Sequence, residues 1–457
     1  MKQIDFSSDN TRRSVAAAAL PMLVAQILSL LYSIVDRIYI GRIPEEGTTA
    51  LGGIGLCFPF IILITAFTNL YGMGGGPLCA MARGRRKMEE AGRVMNTSYT
   101  LLGVTSVLLM VLFQVFATPL LRMFGTSERM MPAAMSYLQI YLLGTPGAML
   151  SAGLSPFINA QGFASASMLS IGIGAVCNIL LDPVLIFGFH MGIRGAAIAT
   201  VVSQYASMAF VLLFLHGPQA ELKLRFLSPL RLERRRVTDI VGLGLTAFIM
   251  QFTNSLVAVV CNQMLSSYGG DLYVSVYTII NSVRQILDVP VHAITEGASP
   301  VLSYNYGARR LEKMKETVRI FSGWAFLYTA VIWVLILVAP GMFIAVFSSD
   351  PALNEVAAGC LKIYFAAFIF QSFQYCGQST FKALGRKRKA IFFSLLRKVI
   401  MVVPLTLLLP RLGFGVNGVF LAEPVSNVIG GLACFTAMIR TEYLQWDRML
   451  AGEKRSR

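Results

Sequence analysis

Long apolar runs alternate with short polar connections along almost the whole chain. A helix needs about 20 apolar residues to cross the hydrocarbon core of a bilayer. By that measure the sequence predicts spans near 14–40, 50–73, 91–117, 131–153, 163–188, 192–216, 238–266, 272–296, 314–341, 354–378, 388–410 and 414–440. Helices suit lipid because they satisfy their own backbone hydrogen bonds. The pattern therefore predicts an all-α integral membrane protein with twelve transmembrane helices.

The basic residues are concentrated in alternate connections. Clusters of lysine and arginine lie within 83–93, 223–236, 309–319 and 382–389, and both chain ends are basic as well. The opposite connections hold roughly one arginine each, and positive charge marks the cytoplasmic side. We therefore expect a multi-pass protein of the cytoplasmic (inner) membrane, with both termini in the cytoplasm.

The two halves of the chain resemble each other at a constant spacing. The motif Gly-x-x-Pro-x6-Gly begins at Gly74 and again at Gly297, and Gly162 matches Gly385 at the same offset of 223 positions. An even number of spans in each half makes the repeat parallel, with a pseudo-two-fold axis along the membrane normal. The predicted organisation is a cytoplasmic tail (1–13), an N-lobe of six helices (14–216), a basic cytoplasmic linker (217–237), a C-lobe of six helices (238–440) and a second cytoplasmic tail (441–457).

Composition excludes several classes of protein. Only 14% of the 457 residues are charged and 55% are hydrophobic, whereas soluble proteins have about 25% charged residues. The net charge of +16 follows the topology of the connections, so we expect no nucleic-acid partner. The seven cysteines and three histidines are scattered singly and form no metal-ligand spacing. We expect neither a resident cofactor nor an enzyme.

Ionisable residues inside predicted spans are costly in lipid and therefore informative. In the N-lobe, helical spacing places a small set of polar residues at one depth near the outer surface: Asp36, Tyr32, Tyr137, Asn178, Asp182 and Thr200. One interpretation is a site for a proton or a hard cation such as Na⁺, held by Asp36, Asn178, Asp182 and Thr200 and supported by the two tyrosines. The alternative is an interfacial Asp36 paired with Arg37, and an Asp182 that only orients a neighbour.

The C-lobe is less informative. Arg284 and Asp288 lie four residues apart on one predicted helix. They form either an ion pair within that helix or part of a substrate cavity wall. Glu423, directly before Pro424, is equally open to both interpretations.

Several segments together resemble the multidrug and toxic compound extrusion (MATE) family, in particular its bacterial DinF-like branch. They are PMLVAQILSLLYSIVDRIYIG at Pro21–Gly41, NILLDP at Asn178–Pro183, SPVLSYNYGARR at Ser299–Arg310, and the repeated glycine–proline motif. The resemblance implies two six-helix lobes and export driven by inward flow of Na⁺ or H⁺.

The resemblance also implies functional residues. The coupling acid on helix 1 of DinF-like members matches Asp36, and their helix 5 residues match Asn178 and Asp182. Their helix 6 threonine matches Thr200, their two tyrosines match Tyr32 and Tyr137, and a proline that bends helix 1 matches Pro21. NorM-like members also carry acids within helices 7 and 10. Here helix 7 has none in its interior and helix 10 has only Glu355 near its outer end, so a C-lobe coupling site of that type is not expected.

The expected function is a cation-coupled (H⁺ or Na⁺) antiporter that exports small organic, cationic or amphipathic compounds by alternating access. Its partners would be a small-molecule substrate and membrane lipid, and we expect a monomer.

The first alternative is a flippase for lipid or lipid-linked oligosaccharide, which would need an arginine-rich cavity. We expect Arg284 to be the only arginine well inside a predicted helix, which disfavours that alternative. The second alternative is a membrane-embedded enzyme, for which the sequence offers no catalytic cluster. A channel is the third, and the two-lobe repeat with its buried acids favours alternating access over an open pore.

Overall fold

The apolar runs form helices throughout the part of the chain that the structure describes. The structure is a computed structural model that describes residues 3–43, 47–123, 130–227, 232–347 and 351–455. Residues 228–231 of the predicted linker therefore lie outside it. The α-helices are α1 (Thr11–Gly41), α2 (Gly47–Gly84), α3 (Met88–Met123), α4 (Met131–Leu143), α5 (Thr145–Ala160), α6 (Ala164–Pro183), α7 (Gly192–His216), α8 (Arg234–Gly307), α9 (Leu311–Val338), α10 (Pro340–Ile344), α11 (Pro351–Tyr364), α12 (Phe368–Ala383), α13 (Lys387–Leu395), α14 (Val403–Leu408), α15 (Gly415–Met438) and α16 (Leu444–Arg455).

These helices account for the predicted spans. Within the described ranges, nine helices are long and apolar enough to cross a membrane, and a tenth span arises if Leu353–Tyr364 and Phe368–Ala383 count together across their 49° bend. The predicted span 131–153 is divided between α4 and α5, and the span 272–296 is the second part of α8, beyond the non-helical Gly270. The all-helical prediction is thus confirmed. The two predicted spans outside this count, 131–153 and 272–296, are helical as well, and the second of them carries Arg284, Asp288 and Glu296.

The internal repeat is visible in the backbone. A positive φ is a conformation that side-chain-bearing residues rarely adopt. Four pairs of residues with positive φ are separated by 223 positions: Arg86 and Arg309 (59° and 56°), Gly162 and Gly385 (88° and 70°), His190 and Gly413 (53° and 97°), and Gly192 and Gly415 (55° and 52°). The breaks between helices agree as well, since Gly144 divides α4 from α5 and Ala367, 223 positions later, precedes α12. The chain therefore repeats one six-helix design.

The described chain divides into two compact units. The first contains residues 1–5 and 24–248 and the second contains residues 6–23 and 249–457. The lobe boundaries predicted above, 14–216 and 238–440, stay predictions.

Small residues bring the helices of the first unit close together. A Cβ atom on Gly72 of α2 would lie 2.7 Å from the carbonyl oxygen of Gly153 on α5, and one on Gly76 would lie 2.8 Å from Pro156. Close backbone approach at small residues is the usual basis of helix packing in lipid. Aromatic rings such as Phe60 and Phe113, 5.2 Å apart edge to face, fill the remaining core.

In the second unit, the pair α12 and α15 packs in the same way. A Cβ on Gly431 would meet the Phe370 carbonyl oxygen at 2.4 Å, and one on Gly377 would meet the Cys434 sulfur at 2.8 Å. Large apolar side chains such as Leu327 and Val338 are instead exposed on α9, as expected for surfaces that face lipid.

Candidate functional site

Three helices of the first unit carry the predicted cation-site residues. Asp36 lies near the end of α1, Asn178 and Asp182 lie one turn apart on α6, and Thr200 lies on α7. Directly after Asp182, Pro183 ends α6 and a π-helical turn follows at Val184–Gly188. Proline removes a backbone donor, and π-helical turns are frequent at functional sites. The backbone at Asp182 is thus interrupted where a carboxylate is buried.

Hydrogen bonds join the residues on α6 and α7. The amide nitrogen Nδ2 of Asn178 donates to Oδ1 of Asp182 at 3.4 Å and to Oγ1 of Thr200 at 3.5 Å. Thr200 in turn donates to the Ala196 carbonyl at 3.0 Å. Asp182 has no solvent exposure and Asn178 has 1%. The amide therefore holds one carboxylate oxygen in place at a buried position.

The carboxyl groups of Asp36 and Asp182 face each other. They are within hydrogen-bonding reach once a proton lies between them. Three oxygens of the site are buried without a hydrogen-bond partner in the described structure: Oδ1 of Asp36, Oδ2 of Asp182 and Oδ1 of Asn178. Buried oxygens without donors are costly, so this arrangement suits a proton or a cation placed between them.

The predicted tyrosines border this pair. Tyr32 is close enough to interact electrostatically with Asp36 and Asp182, and Tyr137 with Asp36 and Tyr32. Tyr137 also stacks on Tyr141 with ring centroids 5.7 Å apart. The structure thus brings all six predicted N-lobe residues together. Their roles in coupling stay predictions.

Two further predictions concern α1. Arg37, the alternative partner for Asp36, places its guanidinium over the Phe58 ring, 5.2 Å from the centroid. Pro21 lies inside α1, which continues as a helix from Thr11 to Gly41. A role for Pro21 in bending stays a prediction.

A cavity of about 340 Å³ borders the site within the first unit. Its lining includes three of the predicted residues, Tyr32, Asn178 and Thr200, and no charged side chain. The sequence analysis missed the polar side chains contributed by α2 and α7: Thr65, Thr68, Asn69, Ser203, Gln204 and Ser207. The signal was present, because these polar residues interrupt otherwise apolar helices at helical spacing.

Comparison with known proteins assigns the chain. A family model described as MatE matches residues 21–184 and 247–408, which is most of the sequence. The chain belongs to the MATE family. The predicted family and its two-lobe, all-helical fold are thereby confirmed, and members of this family are transporters and not enzymes.

This MATE chain matches its relatives over nearly its full length. "Multidrug export protein MepA" of Staphylococcus saprophyticus is 25% identical over 449 residues, covering 97% of this chain and 96% of that protein. The protein of the same name from Staphylococcus aureus strain N315 is also 25% identical, over 452 residues.

Solved structures show the same fold. One described as "Crystal structure of MATE in the bent conformation" superposes with a TM-score of 0.91 at 21% identity and covers 99% of both chains. An outward-facing MATE family transporter has a TM-score of 0.89 at 21% identity, covering 98% of this chain and 99% of that one.

The second unit of this MATE protein also contains buried charge. Arg284 and Asp288 of α8 form the predicted pair within one helix, with 3.4 Å between Nε and Oδ2. Arg284 also reaches Glu423 of α15 at 3.4 Å and donates to the Tyr364 hydroxyl at 2.8 Å. The pair is therefore not isolated on its helix but part of a larger cluster. Whether it contacts substrate stays a prediction.

The expectation that Arg284 is the only arginine well inside a helix is wrong. Arg397 and Lys398 lie within the predicted span 388–410 and have 4% and 3% exposure. The sequence analysis missed these two residues because the basic cluster at 382–389 precedes them closely and they were counted with that connection. The argument from arginine count against a flippase therefore fails, although the cations found are bound to acids and the cavity of the first unit carries no charge.

Proposed function

We propose that this MATE transporter is an antiporter that exports small organic, cationic or amphipathic compounds in exchange for H⁺ or Na⁺. The observation that carries the proposal is the pair formed by the half-buried Asp36 and the buried Asp182, with its unpartnered oxygens, beside a polar cavity in the first unit. The name of the Staphylococcus relatives, multidrug export protein, supports export of organic compounds. We also propose that the chain acts as a monomer in a bacterial inner membrane, with both ends cytoplasmic.

The charge of the pair gives the reason for ion coupling. Two ionised carboxylates in contact repel each other strongly in a medium that screens poorly. One proton shared between them, or one Na⁺ bound to both, removes that repulsion. Asn178 and Thr200 supply neutral oxygens that suit a hard cation. The site is therefore more stable when it holds one small cation, and that cation can be exchanged.

The cavity gives the reason for the class of cargo. Tyr32 and Tyr141 line it together with hydroxyl and amide side chains. Aromatic faces attract organic cations, and a volume of about 340 Å³ lies within the range of small-molecule sites. A loaded coupling site places positive charge next to this cavity and so weakens the binding of a cationic cargo. Coupling then follows from a difference in affinity between the two states, which is the only way that a ligand shifts such an equilibrium.

The test is transport by the purified full-length protein in proteoliposomes. Efflux of ethidium is driven in one arm by an imposed pH gradient and in the other by an imposed Na⁺ gradient. The variants are Asp36→Asn and Asp182→Asn. The matched control is Glu89→Gln, which removes one carboxylate charge from an exposed side chain on α3.

We expect one of the two gradients to drive efflux by the wild type and by the control. Each site variant should lose gradient-driven efflux. Its thermal melting curve should still show a folded protein. Wild-type coupling in Asp36→Asn would refute the carboxylate site. Efflux that responds to neither gradient in the wild type would refute antiport.

A further inference from the structure

A second group of buried charges lies in the second unit, and the proposed function makes no use of it. We call it the cation cluster, and its members come from α8, the π-helical turn Leu396–Val402 and α15: Arg284, Asp288, Arg397, Lys398 and Glu423. The side chains of Arg397, Lys398 and Glu423 have 4–5% exposure, and those of Arg284 and Asp288 have 12% and 14%. Five ionisable groups are thus packed together away from water.

One carboxylate contacts three cations. Oε1 of Glu423 lies 3.1 Å from Arg397, 3.1 Å from Lys398 and 3.4 Å from Arg284. Among the residues that the structure describes, Asp288 has a single cationic partner, Arg284, and it also accepts from Gln371 at 2.7 Å. Arg397 makes one further hydrogen bond, to Oδ1 of Asn427 at 2.7 Å.

The charges in this cluster do not balance. Asp288 offsets one arginine and Glu423 offsets another, so the third cation has no acid of its own. Two other described acids of the second unit, Glu296 and Glu442, are in ion pairs of their own with Lys382 and Arg386. An uncompensated buried charge costs several kcal/mol. Arginine stays protonated in proteins, but lysine readily gives up its proton when it is buried. Lys398 is therefore the group that can remove the excess charge.

The local backbone explains why two adjacent residues face one carboxylate. Neighbouring side chains on an α-helix point about 100° apart, since there are 3.6 residues in each turn. Arg397 and Lys398 lie instead in the π-helical turn, and both reach Oε1 of Glu423. Such turns are rare in proteins overall, but those that occur are often found at functional sites.

We propose that Lys398 is a second proton-exchange site of this transporter, separate from the Asp36–Asp182 site. The Lys398 ammonium releases a proton to water and becomes a neutral amine, which still donates a hydrogen bond to Glu423. The cluster then changes from one excess positive charge to none. Proton uptake reverses this change, so the electrostatics of the second unit depend on pH without any acid in the interior of the predicted spans 238–266 and 354–378.

Other ionisable groups interact with members of the cation cluster, and the test must distinguish them from Lys398. On α8 these groups are Cys261, Tyr277, Arg284, Asp288 and His292; Tyr364 lies on α11, Tyr375 on α12 and Arg397 in the π-helical turn. His292 is the important competitor, because an imidazole ordinarily exchanges its proton near neutral pH. It packs against the Tyr375 ring, 4.5 Å between centroids. A histidine variant therefore belongs in the test.

The test measures the melting temperature of full-length protein in detergent as a function of pH, which requires no substrate. The variants are Lys398→Met, Lys398→Arg and, as the matched control, His292→Gln. If folded Lys398 is neutral and unfolded Lys398 is charged, the unfolded chain binds one more proton. Stability from this group then rises with pH, by at most about tenfold in the unfolding equilibrium constant per pH unit.

We expect the wild type and His292→Gln to show this rise, and both Lys398 variants to lack it. The difference in melting temperature between wild type and Lys398→Met should therefore change with pH. The Asp36–Asp182 pair contributes equally to all these proteins, so the result stands apart from the success or failure of the proposed coupling site.

Three outcomes would overturn the proposal. A difference between wild type and Lys398→Met that stays constant with pH would mean that the lysine only packs. Loss of the rise in His292→Gln would assign the proton to the imidazole. A Lys398→Met protein that fails to fold while Lys398→Arg folds would show that the lysine charge is permanent and structural.

Discussion

The first glycine of the repeated motif should be intolerant of a single methyl group. In the first unit, a Cβ on Gly74 of α2 would lie 2.1 Å from the carbonyl oxygen of Ile240 and 2.8 Å from the backbone nitrogen of Gly244. Real contacts of a Cβ atom are rarely shorter than 3.0 Å. Both contacts are with the α8 backbone, which cannot rotate away as a side chain could. The Gly74→Ala variant must therefore displace one helix from the other by about 1 Å.

The magnitude follows from two opposing effects. Overpacking of this kind costs about 1–3 kcal/mol. Alanine favours a helix over glycine by about 1 kcal/mol, which offsets part of the cost. We expect a net loss of up to about 2 kcal/mol. Because one kcal/mol shifts the melting temperature by about 2–4 °C in a domain of 150–250 residues and by less in a larger chain, the decrease should be a few °C. In the second unit, Gly297→Ala should behave similarly, because its Cβ would lie 2.6 Å from Cα of Ala19.

The assay is thermal unfolding of purified variants in one detergent. Gly323→Ala on α9 is the matched control, because no atom lies within 4 Å of the position of its Cβ. It should equal or exceed the wild type in stability, because only the gain in helix propensity remains. A Gly74→Ala protein as stable as the Gly323→Ala protein would refute the reasoning. The motif glycine would then have some role other than close helix contact.

Three further changes test other parts of the structure. Burial acts to raise the pKa of Glu221, but a hydrogen bond from Gln3 and the Arg83 guanidinium outweigh it and hold the pKa below its usual range. The stabilisation is therefore present above the usual carboxyl pKa and is lost as pH falls through the lowered value, so the melting temperatures of wild type and Arg83→Met should converge in acid. Asn178→Ala should weaken the apparent affinity for Na⁺ about tenfold in proteoliposome transport, because the unpartnered amide oxygen Oδ1 that would bind the cation is lost. Glu423→Gln should lower stability by about 3–5 kcal/mol in thermal or denaturant unfolding, because buried cations lose the carboxylate that they share.

Hydropathy and helical spacing were sufficient to predict the helical scaffold and the residues of the Asp36–Asp182 site. Crossing a bilayer demands a long apolar helix, so each span leaves a strong local signal. The acids of the site are equally visible, because Asp36 and Asp182 interrupt such runs. Their mutual approach also followed from a depth argument, since both lie near the same end of predicted spans. What remained open was the contact itself, which depends on how α1 and α6 pack.

The two predicted spans that are divided in the structure show which helix breaks the local sequence can predict. At the break between α4 and α5, Gly144 and Pro146 weaken the helix, and the sequence carries a visible reason for the break. The corresponding break before α12 lies at Ala367, where no glycine or proline is present. Only the 223-residue repeat connects the two positions. Here the tertiary environment determines the bend, and propensity does not.

The repeat fixes the backbone but not the charge, and this difference suggests how the halves have specialised. Positive φ angles recur at 223-residue spacing from Arg86 and Arg309 onward, so the two backbones follow the same design. The buried charge differs in sign: the first unit has two facing carboxylates, whereas the second has three cations around two acids. An acid pair is stabilised by gaining a cation and the cation cluster by losing a proton. The two halves share a scaffold, but their buried groups respond to a proton in opposite ways. A role in coupling must therefore be inferred for each half from its own side chains.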